Sequence, residues 1–564
     1  MQKNIYKFLS MFLAFGLILT YQNCGEFTTN TEFGSVNNIG EESFISLQCS
    51  DPSNIGTSNL NRLSRAEYLN TISDLFGSSI LTLIRNATDL LPTDKFESLT
   101  HFMDSKPSAS HIESYLNLGL VIADEVLKSA SLKTKVFGNC TTNNVACTNI
   151  YLNSFAEKIF RRPLAAAEKT EAQSVFSKGT STDESLKLVL AYHLQSPAFL
   201  LKLEFGSANT DQSIFDLTAY EVATKISYQI TESTPDDLLY NLAKSGQILD
   251  PTVLRTEIVR LFSTPRGKKT IQYMFRQLLE ITEVPSFTGF PAAVKSGKNI
   301  TGLGQAMVDD FEHFINDVVW DKKAGTKELF SSNQSSTQHS ELLKIYQRSV
   351  AGVGPSNRLG LINKALFLSS TSERTDLIKR GVVVQRNLLC KSLPSPSKID
   401  LSDRNNEAIP APEQPNFTTL ELVAHQTKPS ACMGCHSSIN PTGAVFELFG
   451  PFGEIRSKES TFDLTGSFVK SIDLRTKSDV PVTYQTNQTF SNSLDMAEYF
   501  AESKHVKACL SQKVFEYMQK RNADSADDCH KLKIFDELNT ENESLLEAFV
   551  SSVGNSAVYK RRKD

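Results

Sequence analysis

The sequence has no excess of basic residues. Its 58 lysines and arginines against 63 aspartates and glutamates give a formal net charge of −5. Proteins that bind nucleic acid usually concentrate lysine and arginine in a basic patch or stripe. We therefore expect no nucleic acid among the partners.

Signatures of the common hydrolases and nucleotide-binding enzymes are missing too. The chain contains no Gly-x-Ser-x-Gly, no His-Glu-x-x-His and no phosphate loop ending in Gly-Lys-Ser/Thr. Hydrolytic and nucleotide-driven reactions thus have no residues to carry them, and whether the protein is an enzyme stays open.

Long apolar runs are absent after residue 24, so no later segment predicts a membrane-spanning helix. Residues 1–24 differ from the rest, because Lys3 and Lys7 precede an apolar run that extends to Thr20. This pattern is typical of an export signal peptide. The polar composition of 25–58 then predicts a disordered linker.

Cys24 ends the predicted signal peptide, at the position where a bacterial lipoprotein carries its lipid. A lipid at Cys24 would anchor the protein to a membrane of the cell envelope. Asn23 and Tyr21 stand where such signals usually have a small and an apolar residue, so ordinary cleavage and a freely soluble product form the alternative.

The nine cysteines suit an oxidising compartment. Six remain after Cys24 and the pair at 432 and 435 are set aside, and six cysteines allow fifteen connectivities. Proximity in sequence favours disulfides Cys140–Cys147 and Cys509–Cys529, which leaves Cys49 to pair with Cys390.

Helical periodicity dominates the first 350 residues. Ser64 and Glu67 form a capping-box pattern before a helix that runs to Leu75. At 564 residues the chain is too long for one core. We predict a mainly α, multi-domain protein with further helices at 110–130, 150–162, 182–205, 217–230, 252–262, 268–281 and 303–321.

The composition changes near the C-terminal third. Proline, serine and acidic residues are frequent at 394–415 and predict an extended segment. Alternation at Phe462, Leu464, Val480, Val482 and Tyr484 predicts a small β-hairpin between 461 and 490. Helices are expected to follow at 493–503, 506–521 and 541–553.

The segment Cys432-Met433-Gly434-Cys435-His436 has the spacing of a c-type haem attachment site. Two thiols separated by two residues reach the two vinyl groups of one porphyrin, and the adjacent histidine becomes the proximal ligand of the iron. One haem c is therefore predicted at Cys432 and Cys435, with His436 bound to iron.

Two other chemistries fit the same residues. Cys432 and Cys435 form a disulfide in one alternative, and bind zinc with His436 and a fourth ligand in the other. The sixth ligand of a haem iron is not fixed by the sequence. Met433 lies inside the attachment loop and cannot reach across the ring. Four other residues of the C-terminal third are candidates: His425, Met496, His505 and Met518.

The motif lies in a longer stretch that resembles one family, the planctomycete cytochrome c-like family of exported multi-domain proteins. That family has Cys-x-x-Cys-His, then Ile-Asp-Pro-x-Gly, then Glu-x-Phe-Asp-x-x-Gly-x-x-Arg. Here Ile439-Asn440-Pro441-Thr-Gly443 and Phe446-Glu447-Leu-Phe449 follow the motif, and Arg456 closes the stretch. Asn440 and Gly450 replace the two aspartates of the family pattern.

The resemblance extends over most of the chain. Leu63 to Gly77, Phe155 to Leu164, Ile226 to Leu239, Arg358 to Cys390 and Cys509 to Cys529 each resemble a stretch of one of its domains. It implies an N-terminal helical domain (59–130), a Phe-Arg-Arg-Pro-Leu helical domain (148–208), a large helical domain (213–347), a haem-type domain (357–458) and a C-terminal domain (460–564).

The resemblance also favours His425, which matches a histidine common upstream of the family's motif, over Met518. We therefore expect an exported cell-envelope protein with one covalent haem, which acts in electron transfer or a haem-dependent redox step with an unknown redox partner. Arg161, Arg162 and Arg456 are candidates to bind haem propionates, against a plain packing role. The alternative is a haem-free surface binding or scaffold lipoprotein with a Cys432–Cys435 disulfide.

Overall fold

The structure is a computed structural model that describes Cys49 and residues 61–89, 91, 94, 108–142, 144–206, 214–393, 409–483, 485–555 and 559–562. It is mainly α-helical, as predicted. The predicted signal peptide, Cys24 and most of the linker lie outside these residues. Among the described helices, none is both long and apolar enough to cross a membrane.

The N-terminal region, residues 61–202, has a hydrophobic core that includes Tyr68, Leu118, Tyr151 and Phe199. Strand Asn61–Arg62 pairs with strand Leu201–Lys202, and this pairing brings the two ends of the region together. Its helices are Arg65–Phe76, Ser79–Leu83, Arg85–Thr88, Ala109–Lys128, Ala130–Phe137, Val145–Leu152, Phe155–Phe160, Ala166–Phe176, Thr182–Gln195 and Pro197–Leu200.

A second, larger core joins residues from Leu217 to Tyr559. Its first part contains strand Ile214–Asp216, which pairs with Lys560–Arg562 near the end of the chain, and the hairpin Gln334–Thr337 with Gly352–Pro355. The helices of this part are Ala219–Thr231, Asp237–Lys244, Pro251–Phe262, Pro265–Leu278, Ala292–Lys295, Leu303–Asn316, Thr326–Ser331 and Ser340–Ile345.

The second part of this core carries the cysteine motif. Helix Leu377–Val383 continues into a π-helical turn, Val384–Leu388. The other helices are Ala365–Leu368, Thr419–Gln426, Ser430–Ala444, Ser493–Glu502, Lys504–Gln519, Asp528–Leu538 and Leu545–Gly554. We call Ser430–Ala444 the motif helix.

Helix boundaries follow local chemistry. Ser64 and Glu67 form the predicted capping box, and Thr218 with Glu221 repeats it. The predicted helix 150–162 is two helices, and the second ends at Arg161, whose φ of 59° is left-handed. The predicted helix 182–205 stops at Gln195, because Ser196 is extended and caps a new turn that begins at Pro197.

Two hairpins replace the single one predicted between 461 and 490. Strand Lys458–Phe462 pairs with Phe468–Asp473, and Ser478–Pro481 pairs with Asn487–Phe490. Leu464 lies in the first turn and is 78% exposed. The Asp463 carboxylate accepts hydrogen bonds from the amides of Thr465 and Ser467, which closes that turn before the alternation can continue. Tyr484 lies outside the described residues.

The disulfides are Cys140–Cys147, as predicted, together with Cys49–Cys529 and Cys390–Cys509. The predicted pairs Cys509–Cys529 and Cys49–Cys390 are therefore wrong. Cys509 lies on helix Lys504–Gln519, which packs against the π-helical turn before Cys390. This packing places the Cα atoms of Cys390 and Cys509 5.5 Å apart. Tertiary packing of distant segments, rather than proximity in sequence, decides these two bonds.

Candidate functional site

The motif helix begins directly after Pro429 and contains all three predicted haem-binding residues. Cys432, Cys435 and His436 are separated by three and four positions, and this spacing places their side chains on one face of the helix. Cys435 is buried at 9% exposure, while Cys432 and His436 are half-buried. Met433 and Gly434, between the cysteines, are exposed.

Two glycines let the motif helix pack closely on helix Leu377–Val383. A Cβ on Gly381 would lie 2.3 Å from the carbonyl oxygen of Ile439. A Cβ on Gly443 would lie 2.3 Å from the carbonyl oxygen of Leu377. Both distances are shorter than any real contact, so only glycine permits this crossing, and the crossing fixes the position of the motif helix.

A chain of hydrogen bonds orients His436. The Thr427 hydroxyl donates to the Val423 carbonyl (2.7 Å) and accepts from the Asn440 amide nitrogen (2.8 Å). The remaining amide oxygen of Asn440 lies 2.8 Å from Nδ1 of His436. Because a backbone carbonyl can only accept, the direction of the whole chain is set, and Nδ1 of His436 must donate its proton to Asn440.

This tautomer leaves the other ring nitrogen available. In the neutral ring, a proton on Nδ1 leaves the lone pair on Nε2, and no described residue donates a hydrogen bond to this nitrogen. A histidine that binds a metal typically donates its second nitrogen to a partner in this way. The neutral amide of Asn440 therefore orients His436 in this chain, at the position where the family pattern has an aspartate.

Gly450, the second departure from the family pattern, has a steric reason. A Cβ at this position would lie 2.5 Å from a carboxylate oxygen of Glu454. That carboxylate accepts the Phe452 amide proton at 2.9 Å. An aspartate at 450 would clash with the carboxylate of Glu454, so this turn geometry, with Glu454 in this position, requires glycine at position 450.

Cys432 and Cys435 are both free thiols, whereas the other six described cysteines are paired. The structure thus does not contain the alternative disulfide Cys432–Cys435. Within the described ranges, no three His, Cys, Asp or Glu side chains converge as metal ligands would. Cys432, Cys435 and His436 are thus spread along a helix face rather than gathered around one point, as zinc requires.

Three of the four candidate sixth ligands are occupied in packing or hydrogen bonding. Met496 and Met518 are fully buried in the larger core. Nε2 of His505 lies 2.8 Å from the Leu389 carbonyl, and burial lowers the pKa of this imidazole. His425 lies exposed at the end of helix Thr419–Gln426, with its ring 5.9 Å from that of Phe417.

The candidate propionate-binding arginines have other partners. Arg161 is buried and donates to the carbonyls of Ala198, Phe199 and Leu201. Arg162 forms a bidentate pair with Glu168. Arg456 bonds to Glu447 at 2.9 Å. All three stabilise the fold.

Sequence reasoning missed the environment of Glu447. This carboxylate is 1% exposed and bonds to Arg456 and to the Thr375 hydroxyl (2.6 Å), with Arg380 at 3.9 Å. Burial raises the pKa of Glu447, against the lowering effect of the two arginines. The acidic and basic residues are visible in the sequence after the motif, but their burial is not. They tie the segment after the motif helix to helix Leu377–Val383.

Comparisons with known proteins identify domains of one series in this chain. Four family models match in series, each described as a protein of unknown function: PSD3 (DUF1587) at 61–128, PSD5 (DUF1595) at 147–204, PSD4 (DUF1592) at 217–347 and PSCyt3 (DUF1588) at 358–459. No curated protein and no solved structure matches the chain. The motif helix lies within the PSCyt3 match. The chain thus contains, in this order, four domains of the planctomycete cytochrome c-like series, all of unknown function.

Proposed function

We propose that the exported protein carries one covalent c-type haem, held by thioethers to Cys432 and Cys435 with His436 as the proximal iron ligand. The observation that carries the proposal is the hydrogen-bond chain from Val423 to His436, which commits Nδ1 as donor and leaves Nε2 as the free acceptor. Packing histidines such as His193 and His505 also hold one tautomer through a backbone carbonyl, but His436 shares its helix face with Cys432 and Cys435.

The thiols support the same proposal. Thioether formation needs two reduced cysteines, and Cys432 and Cys435 are both free in a protein whose other described cysteines are oxidised. Their position on the face that carries His436 suits one flat porphyrin. Haem supplies an iron that changes its oxidation state by one electron, and the protein's role would be electron transfer or a haem-dependent redox step.

His425 is the proposed candidate for the second axial ligand. It is exposed, belongs to the helix that precedes the motif helix, and has no hydrogen bond from its ring among the described residues. Its replacement by alanine should shift the visible spectrum of the haem protein if His425 binds iron.

The proposal includes export and a lipid anchor at Cys24. Residues 1–24 have the charge and apolar run of a signal peptide. Three disulfides suit an oxidising compartment, where haem is also joined to such motifs. The redox partner is undefined.

The rival function is a haem-free scaffold lipoprotein, which needs neither free thiols nor a fixed His436 tautomer. Expression in a bacterial host with a haem-attachment system separates the two functions. We expect a haem-stained band at the mass of the chain after denaturing electrophoresis, and its loss in the Cys432→Ala, Cys435→Ala variant. The double variant Cys140→Ala, Cys147→Ala removes two cysteines outside the motif and should keep the stain. A colourless wild-type band would support the scaffold.

A further inference from the structure

A cleft of about 500 Å³ lies where three parts of the chain meet, away from the cysteine motif. We call it the junction cleft. The N-terminal region contributes Arg62 and Glu67, the large helical region contributes Glu232 and Arg276, and the C-terminal region contributes Lys520. A smaller cavity of about 50 Å³ shares Glu67, Lys202 and Lys520 with it, so Lys520 lies at the boundary of the two.

Lys520 has an unusual environment. It follows directly on helix Lys504–Gln519, and its Nζ atom is buried without a hydrogen-bond partner in the described part of the chain. Its Nζ atom lies 4.1 Å from the centroid of the Tyr517 ring, and the carboxylates of Glu232 and Glu67 are near enough to act on its charge. Burial lowers the pKa of this ammonium group. A buried cation without a partner is costly to the fold, which is a reason to look for a ligand.

The other basic residues of the junction cleft mostly have acidic partners. Arg62 pairs with Asp94 at 3.0 Å, and Arg276 lies 3.7 Å from Glu312. The further ion pairs are Lys202 with Glu67 and Arg266 with Asp74.

Lys520, Lys269 and Glu232 are left, and none of them forms an ion pair within the described ranges. Burial raises the pKa of Glu232 and lowers that of Lys520, so it shifts both groups toward their neutral forms. Among the residues that line the junction cleft, six are basic and four are acidic, so basic side chains are in excess.

Several buried polar atoms around the two cavities also lack partners among the described residues. They are Nε of Arg62 and Nε of Arg276 at the junction cleft, and the side-chain oxygen of Gln229 at the smaller cavity. Native proteins satisfy nearly all buried polar atoms. An anion accepts hydrogen bonds, so it would satisfy Nζ of Lys520 and Nε of the two arginines, whereas the Gln229 oxygen needs a donor.

We propose that the junction cleft binds a small organic anion, a carboxylate or a phosphate, whose charged group pairs with Lys520. The site is independent of haem, since none of its residues belongs to the motif helix or to the hydrogen-bond chain of His436. It gives the three parts of the chain that form the cleft a common ligand.

The test is titration calorimetry of the full mature protein with inorganic phosphate and, separately, with acetate, in a buffer free of both. We expect saturable binding of at least one anion, and the one that binds identifies the ligand chemistry. Lys520→Met should weaken binding by about tenfold or more, because the paired charge is lost. Lys504→Met, at an exposed position on the helix that ends before Lys520, should bind as wild type.

Glu232→Gln provides a second test that does not depend on the Lys520 variant. Removal of an acidic group from the cleft should leave anion binding unchanged or tighten it. The proposal is overturned if neither anion binds saturably, if Lys520→Met binds as tightly as wild type, or if Glu232→Gln weakens binding by about tenfold.

Discussion

Asn440 accepts the Nδ1 proton of His436 at 2.8 Å, one helical turn away on the same face of the motif helix. The direction of this bond is set by the Val423 carbonyl, two hydrogen bonds further along. The histidine is thereby held in one tautomer by a neutral group, where the family pattern has a carboxylate. An aspartate at this position would strengthen the bond to His436 but would lose the bond that Asn440 donates to Thr427.

Asn440→Asp should lower the reduction potential of the haem protein. A charged acceptor strengthens the hydrogen bond to His436 by about 1 kcal/mol, and the imidazole then donates more electron density to the iron. This stabilises the oxidised iron and should lower the reduction potential by about 40 mV. Spectroelectrochemical titration measures this shift. Ser437→Asp adds the same charge at an exposed neighbouring position and should change the potential much less. Equal shifts of the reduction potential in the two variants would show that the added charge, and not the hydrogen bond to His436, causes the change.

Gly381→Ala should destabilise the region that contains the motif. The new methyl group would meet the carbonyl of Ile439, which belongs to a helix backbone and cannot rotate away. Overpacking of this kind costs about 1–3 kcal/mol. Gly434→Ala is the matched control, since nothing lies within 4 Å of its Cβ position, and alanine in a helix should add up to about 1 kcal/mol of stability. Denaturant unfolding of both variants checks the difference, and a neutral Gly381→Ala would contradict the close crossing.

The sequence predicted most helices of the fold because their caps and periodicity are local. The Ser64 capping box and the helix after Pro251 are examples. It failed where a distant contact decides. Cys49 pairs with Cys529 across a sequence separation of 480 residues, which no local pattern signals. The prediction of a single hairpin around Leu464 was wrong for a local reason, because Asp463 forms a tight turn there.

The candidate site shows the same division. The spacing of Cys432, Cys435 and His436 is local and predicts their common helix face. Val423 and Thr427, which determine the tautomer of His436, belong to the preceding helix and its C-cap. They are not part of any recognisable sequence motif, so only the packing of the two helices shows their role. Among the candidate sixth ligands, burial removed Met496 and Met518, and burial cannot be read from a methionine in a helical pattern.

Stability should fall as pH decreases from about 6.5 to about 4. Burial lowers the pKa of His193 to about 4 and that of His530 to about 4. The unfolded chain, with an ordinary histidine pKa of about 6.5, binds these protons more readily. The stabilising contribution is thus complete above pH 6.5 and is lost as the pH falls, by roughly 3 kcal/mol for each histidine.

Urea unfolding across this pH range measures the effect. His193→Gln keeps a donor for the Val189 carbonyl, which His193 Nδ1 meets at 2.8 Å, but does not titrate. Its stability should therefore depend less steeply on pH than that of wild type. An unchanged slope would show that His193 does not titrate with unfolding.

The disulfide pattern is directly testable. Digestion of the non-reduced protein should release Cys390 joined to Cys509 and Cys49 joined to Cys529. By chain entropy, the Cys49–Cys529 bond should contribute about 6 kcal/mol and the Cys140–Cys147 bond about 2–3 kcal/mol. Cys529→Ala should therefore lower the unfolding temperature more than Cys147→Ala. Recovery of a Cys509–Cys529 peptide would contradict the packing of helix Lys504–Gln519.

The most direct test of the central claim is the mass of the peptide that contains Cys432 and Cys435, taken from exported wild-type protein after complete denaturation. We predict an increase by one haem, with both cysteines resistant to thiol alkylation. The peptide at its unmodified mass, with both thiols open to alkylation, or at a mass lowered by the two hydrogens of a disulfide, would contradict haem attachment.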